Sequence, residues 1–302
     1  MNNSQRGFAL ILVLWSTLIL SFCILAAAWL ANVGISHSRL SSRRFEAKQL
    51  ALTGIAYGCD PRIEIFDPLL TQQLGSRRQL NVIIRSEGGR VNINHLLACE
   101  DYTTLADLFK QWGINEQDAA ALTDCLKDWI DSDDLSSLHG AERSDLEGTP
   151  FSMPENRPFL TVAEMAGIKD WELVEQLKPD WADSFSILST QHLDFDEVSA
   201  EILMAFGRLT QHQAESLVTY RNGLDRKPKT QDDVKIESTE QLEVVVGGLS
   251  GDQKQAIEQR FQFQNADNPI RIVSTGMVAG TKYAITAIVV GRGKEYLWWE
   301  EK

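Results

Sequence analysis

Between Asp128 and Glu147 the chain reads DWIDSDDLSSLHGAERSDLE, and Asp131, Asp133, Asp134, Glu142, Asp145 and Glu147 crowd one aperiodic stretch. Carboxylates at this density suit a hard divalent cation, since calcium takes about six to eight oxygen ligands and tolerates an irregular shell. Counting Asp131 as the first position of an EF-hand loop puts Asp133 third and Glu142 twelfth. Leu135 and Ser136 then fall where an oxygen donor and a glycine are required, so the segment is no EF-hand. Calcium held by Asp131, Asp133 and Glu142 stands beside a plainer reading, a solvated acidic loop that caps the next helix.

Other chemistry is absent from the sequence. It contains no nucleophile elbow, HExxH pair, P-loop or strand-placed GxGxxG. The five histidines, His37, His95, His139, His192 and His212, are scattered with no i,i+4 pair. The four cysteines fit no zinc spacing. Cys23 lies in an apolar run; among Cys59, Cys99 and Cys125 at most one internal bridge can form, and Cys99 with Cys125 is the expected pair because both flank one helical segment. No enzymatic activity is expected. The 302 residues carry a formal charge of −13, which disfavours nucleic acid, where phosphate contacts supply most of the affinity.

The elements that must carry the acidic stretch are legible on either side of it. TTLADLFKQWG and NEQDAAALTDCLKDWID read as two amphipathic helices separated by Gly113, with Asn115 as N-cap of the second and Ala119, Leu122, Leu126, Trp129 and Ile130 on its core face. Pro150, Pro154 and Pro158 make 150–160 an extended connector. Short helices are expected around Gly167, from Ser199 to Phe206, from Gln211 to Arg221, from Thr239 to Val246 and from Asp252 to Phe261. The pair around Gly167 has a helix-hairpin-helix pattern, which holds DNA phosphates in other proteins; with few basic residues nearby, packing is the better reading. Leu80 to Asn94 reads as a hairpin turning at Gly88-Gly89. Pro269–Ser274, Ala279–Val290 and Glu295–Trp299 read as an antiparallel meander.

The N-terminus is different in kind. From Phe8 to Ala31 there is no charged residue, a run long enough to span the ~30 Å hydrocarbon core at about 1.5 Å per residue. It continues without proline to Tyr57, so one long helix is expected, half in a membrane and half out. Along its far half Ala47, Ala51, Gly54 and Ile55 form a small-residue stripe suited to packing closely on a sheet. The run is too long for a cleaved secretory signal, although AAAWLA offers small residues at its end. Counting basic residues at the flanks (Arg6 against Arg39, Arg43, Arg44 and Lys48) would put the body in the cytoplasm.

Gly7-Phe8, placed before the apolar run, resembles the processing junction of type IV pilins and type II secretion pseudopilins. In that family a prepilin peptidase cuts after the glycine and methylates the new amine. Most pilins carry Glu at the fifth mature position; here it is Leu12. That Glu pairs with the amine of a neighbouring subunit, so its absence suits a subunit with none above it, the fibre tip. Asp128-Trp129-Ile130-Asp131 through Asp134, then Gly140-Ala141-Glu142, the prolines of 150–160 and the closing Trp298-Trp299 resemble minor pseudopilin K of type II secretion, in this order along nearly the whole chain. Two stretches depart from it, Arg143–Leu146 and Leu193–Val198.

The resemblance implies an α+β fold. A leader (1–7) and transmembrane helix (8–31) run into a pilin-like helix and hairpin (32–98), a large all-α domain (99–265) is inserted between strands, and 266–302 closes the antiparallel sheet. It implies a structural subunit at the pseudopilus tip that helps initiate assembly, a body in the bacterial periplasm, and calcium in the helical domain. The implied partners are the other minor pseudopilins, the major pseudopilin, the inner-membrane assembly platform, the prepilin peptidase and the membrane. The alternatives are a bitopic periplasmic protein binding a ligand or calcium, and a DNA-uptake pilin.

Overall fold

Helix α1 runs without interruption from Asn3 to Cys59, because no proline falls inside it, and it stops where Pro61 denies a further backbone donor. The computed structural model describes residues 3–228, 230–263, 268–291, 293 and 295–302, and within α1 the side chains of 3–12, 28, 31, 32, 35 and 36 lie outside that description. From Val13 to Phe45 the described side chains of α1 are almost all exposed, including Trp15, Phe22, Leu25, Trp29 and Leu40. Only from Ala47 onward does the helix pack. Among the described residues no helix is long and apolar enough to cross a membrane. The run expected to do so, from Phe8, and the Gly7-Phe8 junction before it fall partly or wholly on side chains outside the described set.

The packed end of α1 lies on a five-stranded antiparallel sheet of order β1 (Thr71–Leu74), β2 (Arg78–Ser86), β7 (Ile270–Val278), β8 (Thr281–Val290) and β9 (Glu295–Glu301). Ala47, Ala51 and Ile55 bury against Leu80, Val82, Ile272, Ile285, Ala287 and Val289. The small-residue stripe is the seam: a Cβ on Gly276 would strike the Ala47 carbonyl, and one on Gly54 would strike Ser274 Oγ.

Between β2 and β7 the chain builds a second core. Its elements are β3 (Val91–Asn92), α2 (Ile93–Ala98), α3 (Tyr102–Gln111), α4 (Glu116–Ile130), α5 (Arg143–Leu146), α6 (Glu172–Leu177), β4 (Phe185–Ser186), β5 (Leu193–Asp194), α7 (Ala200–Gly207), α8 (Gln211–Arg221), α9 (Thr239–Val246), α10 (Gly251–Arg260) and β6 (Phe261–Gln262). Phe109, Trp112, Trp171, Trp181 and Phe185 pack edge to face along this core, and Trp129 stacks on Phe159 with centroids 5.3 Å apart. The segment is not all helix: β3 pairs with β4 and β5 with β6 as two-residue parallel ladders.

Two expectations are corrected. Leu80–Asn94 is no hairpin, for β2 pairs with β1 and β7, and Gly88-Gly89 sits in a single 3-10 turn. These glycines permit close approach: a Cβ on Gly88 would meet Asn268, and one on Gly89 the backbone of Glu197. Nor do Cys99 and Cys125 pair; both are free. Cys99 caps α2 beside His95, whereas Cys125 is buried near the His139 carbonyl, and burial pushes its thiol up to about 12.

A buried carboxylate helps join the two cores. Glu87, fully buried, accepts from Arg271 Nε at 2.5 Å and from Ser186 Oγ at 2.6 Å, while Arg90 reaches from it to Asp183 at 2.6 Å.

Candidate metal centre

Helix α4 ends as its sequence requires. Asn115 caps its start by accepting from the Asp118 N–H at 3.0 Å, and Ala119, Leu122, Leu126 and Trp129 turn inward. The stripe that buries these residues also buries Asp128, one position before Trp129. Asp131 follows as the C-cap, and the chain turns back through 132–141 to bring Glu142 against the same helix end as N-cap of α5.

One carboxylate oxygen each from Asp128, Asp131 and Glu142 lie within 4.8 Å of one another. The returning loop is laced to α4. The Ser137 N–H donates to Asp128 Oδ2 at 3.0 Å, and the His139 N–H donates to Asp124 Oδ2 at 3.0 Å. Gly140 lies so close that a Cβ there would collide with Asp128 Oδ2. From the other side Asp145 accepts from the Glu142 N–H at 3.0 Å and from Ser136 Oγ, which holds its carboxyl below the usual range.

Glu142 is the anomaly. It is fully buried, and no side chain donates to its carboxylate among the described residues, only backbone N–H groups of the first turn of α5 approaching it; Asp131 Oδ1 is buried without a partner among them. A buried carboxylate short of donors favours its neutral form. Burial first, then the charges of Asp128, Asp131 and Asp134, push the Glu142 carboxyl up to about 7. Asp131 is raised by burial and by Asp133 and Asp128. Three convergent acids with unsatisfied buried oxygens and no nitrogen or sulfur donor fit a hard divalent cation. Bound there, such an ion would supply positive charge to all three and fasten the 132–141 loop to α4.

Of the residues singled out in the sequence, Asp131 and Glu142 come together and Asp133 does not join them. Asp133 Oδ1 instead accepts from the Leu135 N–H at 2.9 Å, closing a local turn. Asp128 takes the place in the cluster, and the sequence signal for it was an acid on the buried stripe of an amphipathic helix.

Residues 89–180, which contain all three carboxylates, match the family model of type II secretion system protein K. Over these residues the chain is similar to type II secretion system protein K. A chain of the crystal structure of the GspK-GspI-GspJ complex from the enterotoxigenic Escherichia coli type 2 secretion system shares its fold, with a TM-score of 0.59, 16% identity, and coverage of 90% of this chain and 99% of that one. At this identity the likeness is one of fold. No curated protein matches the sequence. The family-model match and the shared fold together support a minor pseudopilin of type II secretion.

Proposed function

We propose that this chain caps the pseudopilus tip and helps start assembly, anchored in the inner membrane by the first half of α1, with its body in the periplasm. The observation that carries the reading is the direction of the molecule along α1. Gly276 of β7 lies against Ala47, and Ile272 of β7 lies against Gly58. The end of β2 and the start of β7, from which the helical core emerges, are thus at the Cys59 end of α1. Its bare apolar length points the other way. A subunit stacked beyond that helical bulk would have no room for its own helix, and Leu12 provides no carboxylate for a neighbour's amine. Together these support a terminal subunit, with counterparts of GspI and GspJ beside it and the major pseudopilin below.

In this reading the prepilin peptidase cuts between Gly7 and Phe8, and Asp128, Asp131 and Glu142 hold calcium as a structural ion. Mass spectrometry of the membrane-extracted protein tests the anchor: a chain beginning at methylated Phe8 is expected. An intact Met1, or a start beyond Ala31, would remove the pseudopilus role for α1.

A further inference from the structure

Apart from the acidic cluster, the helical core carries a cavity of about 390 Å³ walled by α2, β5, α7 and α10. Its size falls within the range of small-molecule sites, about 300–1,000 Å³. Leu96, Leu193 and Phe206 give it apolar surface, and its lining includes two groups capable of covalent chemistry, His95 and Cys99. These are four residues apart, so the turn of α2 sets one above the other. Cys99 Sγ lies 3.5 Å from His95 Nε2, and the Cys99 backbone N–H donates to the His95 carbonyl at 2.9 Å. The thiol is free and exposed. An imidazole in contact with a thiol activates the sulfur, because the thiolate is the nucleophile and the ring can take its proton.

The charged groups that share the cavity with this pair are Glu100, Asp101 and Arg260. Asp101 and Arg260 are engaged with each other, Arg260 Nη2 donating to Asp101 Oδ2 at 2.7 Å, and Arg260 also donates to Thr104 Oγ1 at 3.0 Å. Glu100 is the remaining charge. The other two thiols beyond the apolar run lack this arrangement. Cys125 is buried, and burial pushes its thiol up to about 12, which leaves almost no thiolate at neutral pH. Cys59 is half-buried, and a Cβ on Gly293 would collide with it. Its neighbour at 3.6 Å is the Tyr296 hydroxyl, a phenol raised above its usual range by that same contact and so no base at neutral pH.

We propose that Cys99 is a thiol–disulfide exchange site, which takes a low-molecular-weight disulfide from the cavity as a mixed disulfide, with His95 accepting and returning the proton. The Cys99 proton passes to a ring nitrogen of His95, and the thiolate attacks one sulfur of the small disulfide. Its S–S bond breaks as the new one to Cys99 forms. The departing thiolate takes the proton back from the His95 imidazolium and leaves as a free thiol. Cys99 is thereby oxidised and the small disulfide reduced, with no further reactant. The reactivity stands apart from the pseudopilin reading; only the supply of disulfide rests on it, since a periplasm is oxidising.

The test treats the full chain in detergent with oxidised glutathione and follows the adduct at each cysteine by peptide mass spectrometry, from about pH 6 to about pH 9. At pH 7 Cys99 should take the adduct at least ten-fold faster than Cys59 or Cys125. Cys99 reacting no faster than Cys59 in the wild type would overturn the site without recourse to any variant. His95→Gln keeps a polar side chain and removes the base. It should slow Cys99 at least five-fold at pH 7 and meet the wild type near pH 9, where thiols ionise unaided. Equal rates at pH 7, in chains that melt alike, would overturn the pairing and leave exposure as the cause of the selectivity. Slowing by the same factor at both pH values would assign His95 to the shape of the cavity and overturn its part in proton transfer. The pseudopilin reading stands or falls separately, on the mature N-terminus.

Discussion

At the scale of single residues, Glu142 governs what the acidic cluster does with pH. Its carboxyl is raised from 4.5 to about 7 by burial and by Asp128 and Asp131. A raised acid binds its proton more tightly in the folded chain than in the unfolded one. Metal-free stability is therefore highest below about 4.5 as far as this group is concerned and falls as pH rises through about 7. Calcium bound as proposed would replace the proton, so its stabilising effect should grow over the same window. Thermal melts in chelator should show Tm falling from pH 5 to pH 8, calcium should restore it most at pH 8, and Glu142→Gln should flatten both trends. A chelated wild type with no slope in this range would show that Glu142 is solvated. The ligand set has its own test: Asp128→Asn should weaken calcium binding by about ten-fold or more, a loss of the size seen when a metal site's support is removed. Asp133→Asn should change it little, by titration calorimetry. Sequence spacing favoured Asp133 because it counted along the chain. The cluster is assembled across a helix end, where Asp128 and Asp131 are one turn apart and Glu142 returns from beyond the loop.

At the scale of elements, close approach explains what was legible and what was not. The Ala47, Ala51, Gly54 stripe announced a helix lying on a sheet because helical spacing is a local property, and the sheet answers it with Gly276 and Ser274. Gly276→Ala should lower stability by about 1–3 kcal/mol, since the new methyl meets the Ala47 carbonyl, and urea unfolding would measure it. An unchanged midpoint would mean that α1 slides freely on the sheet. Gly140 is the counterpart at the candidate metal centre: Gly140→Ala must displace the Asp128 carboxylate and should lose any calcium affinity together with Asp128→Asn. The helices α3, α4 and α8 were readable from period, and α4 also from its Asn115 cap. Gly88-Gly89 misled, since a glycine pair looks the same in sequence whether it makes a two-residue turn or lets Asn268 and Glu197 come close. The Cys99–Cys125 pairing failed for a related reason. Flanking one helical segment in the chain says nothing of which way two side chains face, and Cys99 turns to His95 while Cys125 turns inward.

At the scale of the molecule, the proposed tip role requires load to pass between the helical core and the helix α1, and Glu87 is one buried contact placed to carry it. It sits just after β2, is fully buried, and takes hydrogen bonds from Arg271 on the sheet and from Ser186 in the helical core. Arg90, itself nearly buried, extends the link to Asp183. Burial lowers the Arg90 guanidinium and the neighbouring Arg271 lowers it further, with Glu87 and Asp183 opposing. Removing the carboxylate strands the Arg271 guanidinium and leaves Arg90 with Asp183 alone. Breaking a buried pair in this way typically costs about 3–5 kcal/mol. Because the lost contact lies between the two cores, the loss should appear as decoupling. Calorimetry of Glu87→Ala should resolve two transitions where the wild type shows one, and limited proteolysis should cut first near residues 86–90. Glu87→Gln keeps an acceptor for Ser186 and should fall between them. A single transition shifted as a whole in Glu87→Ala would mean that the sheet and the helical core unfold together through their other contacts, and that the charge cluster only adds to a join made by packing.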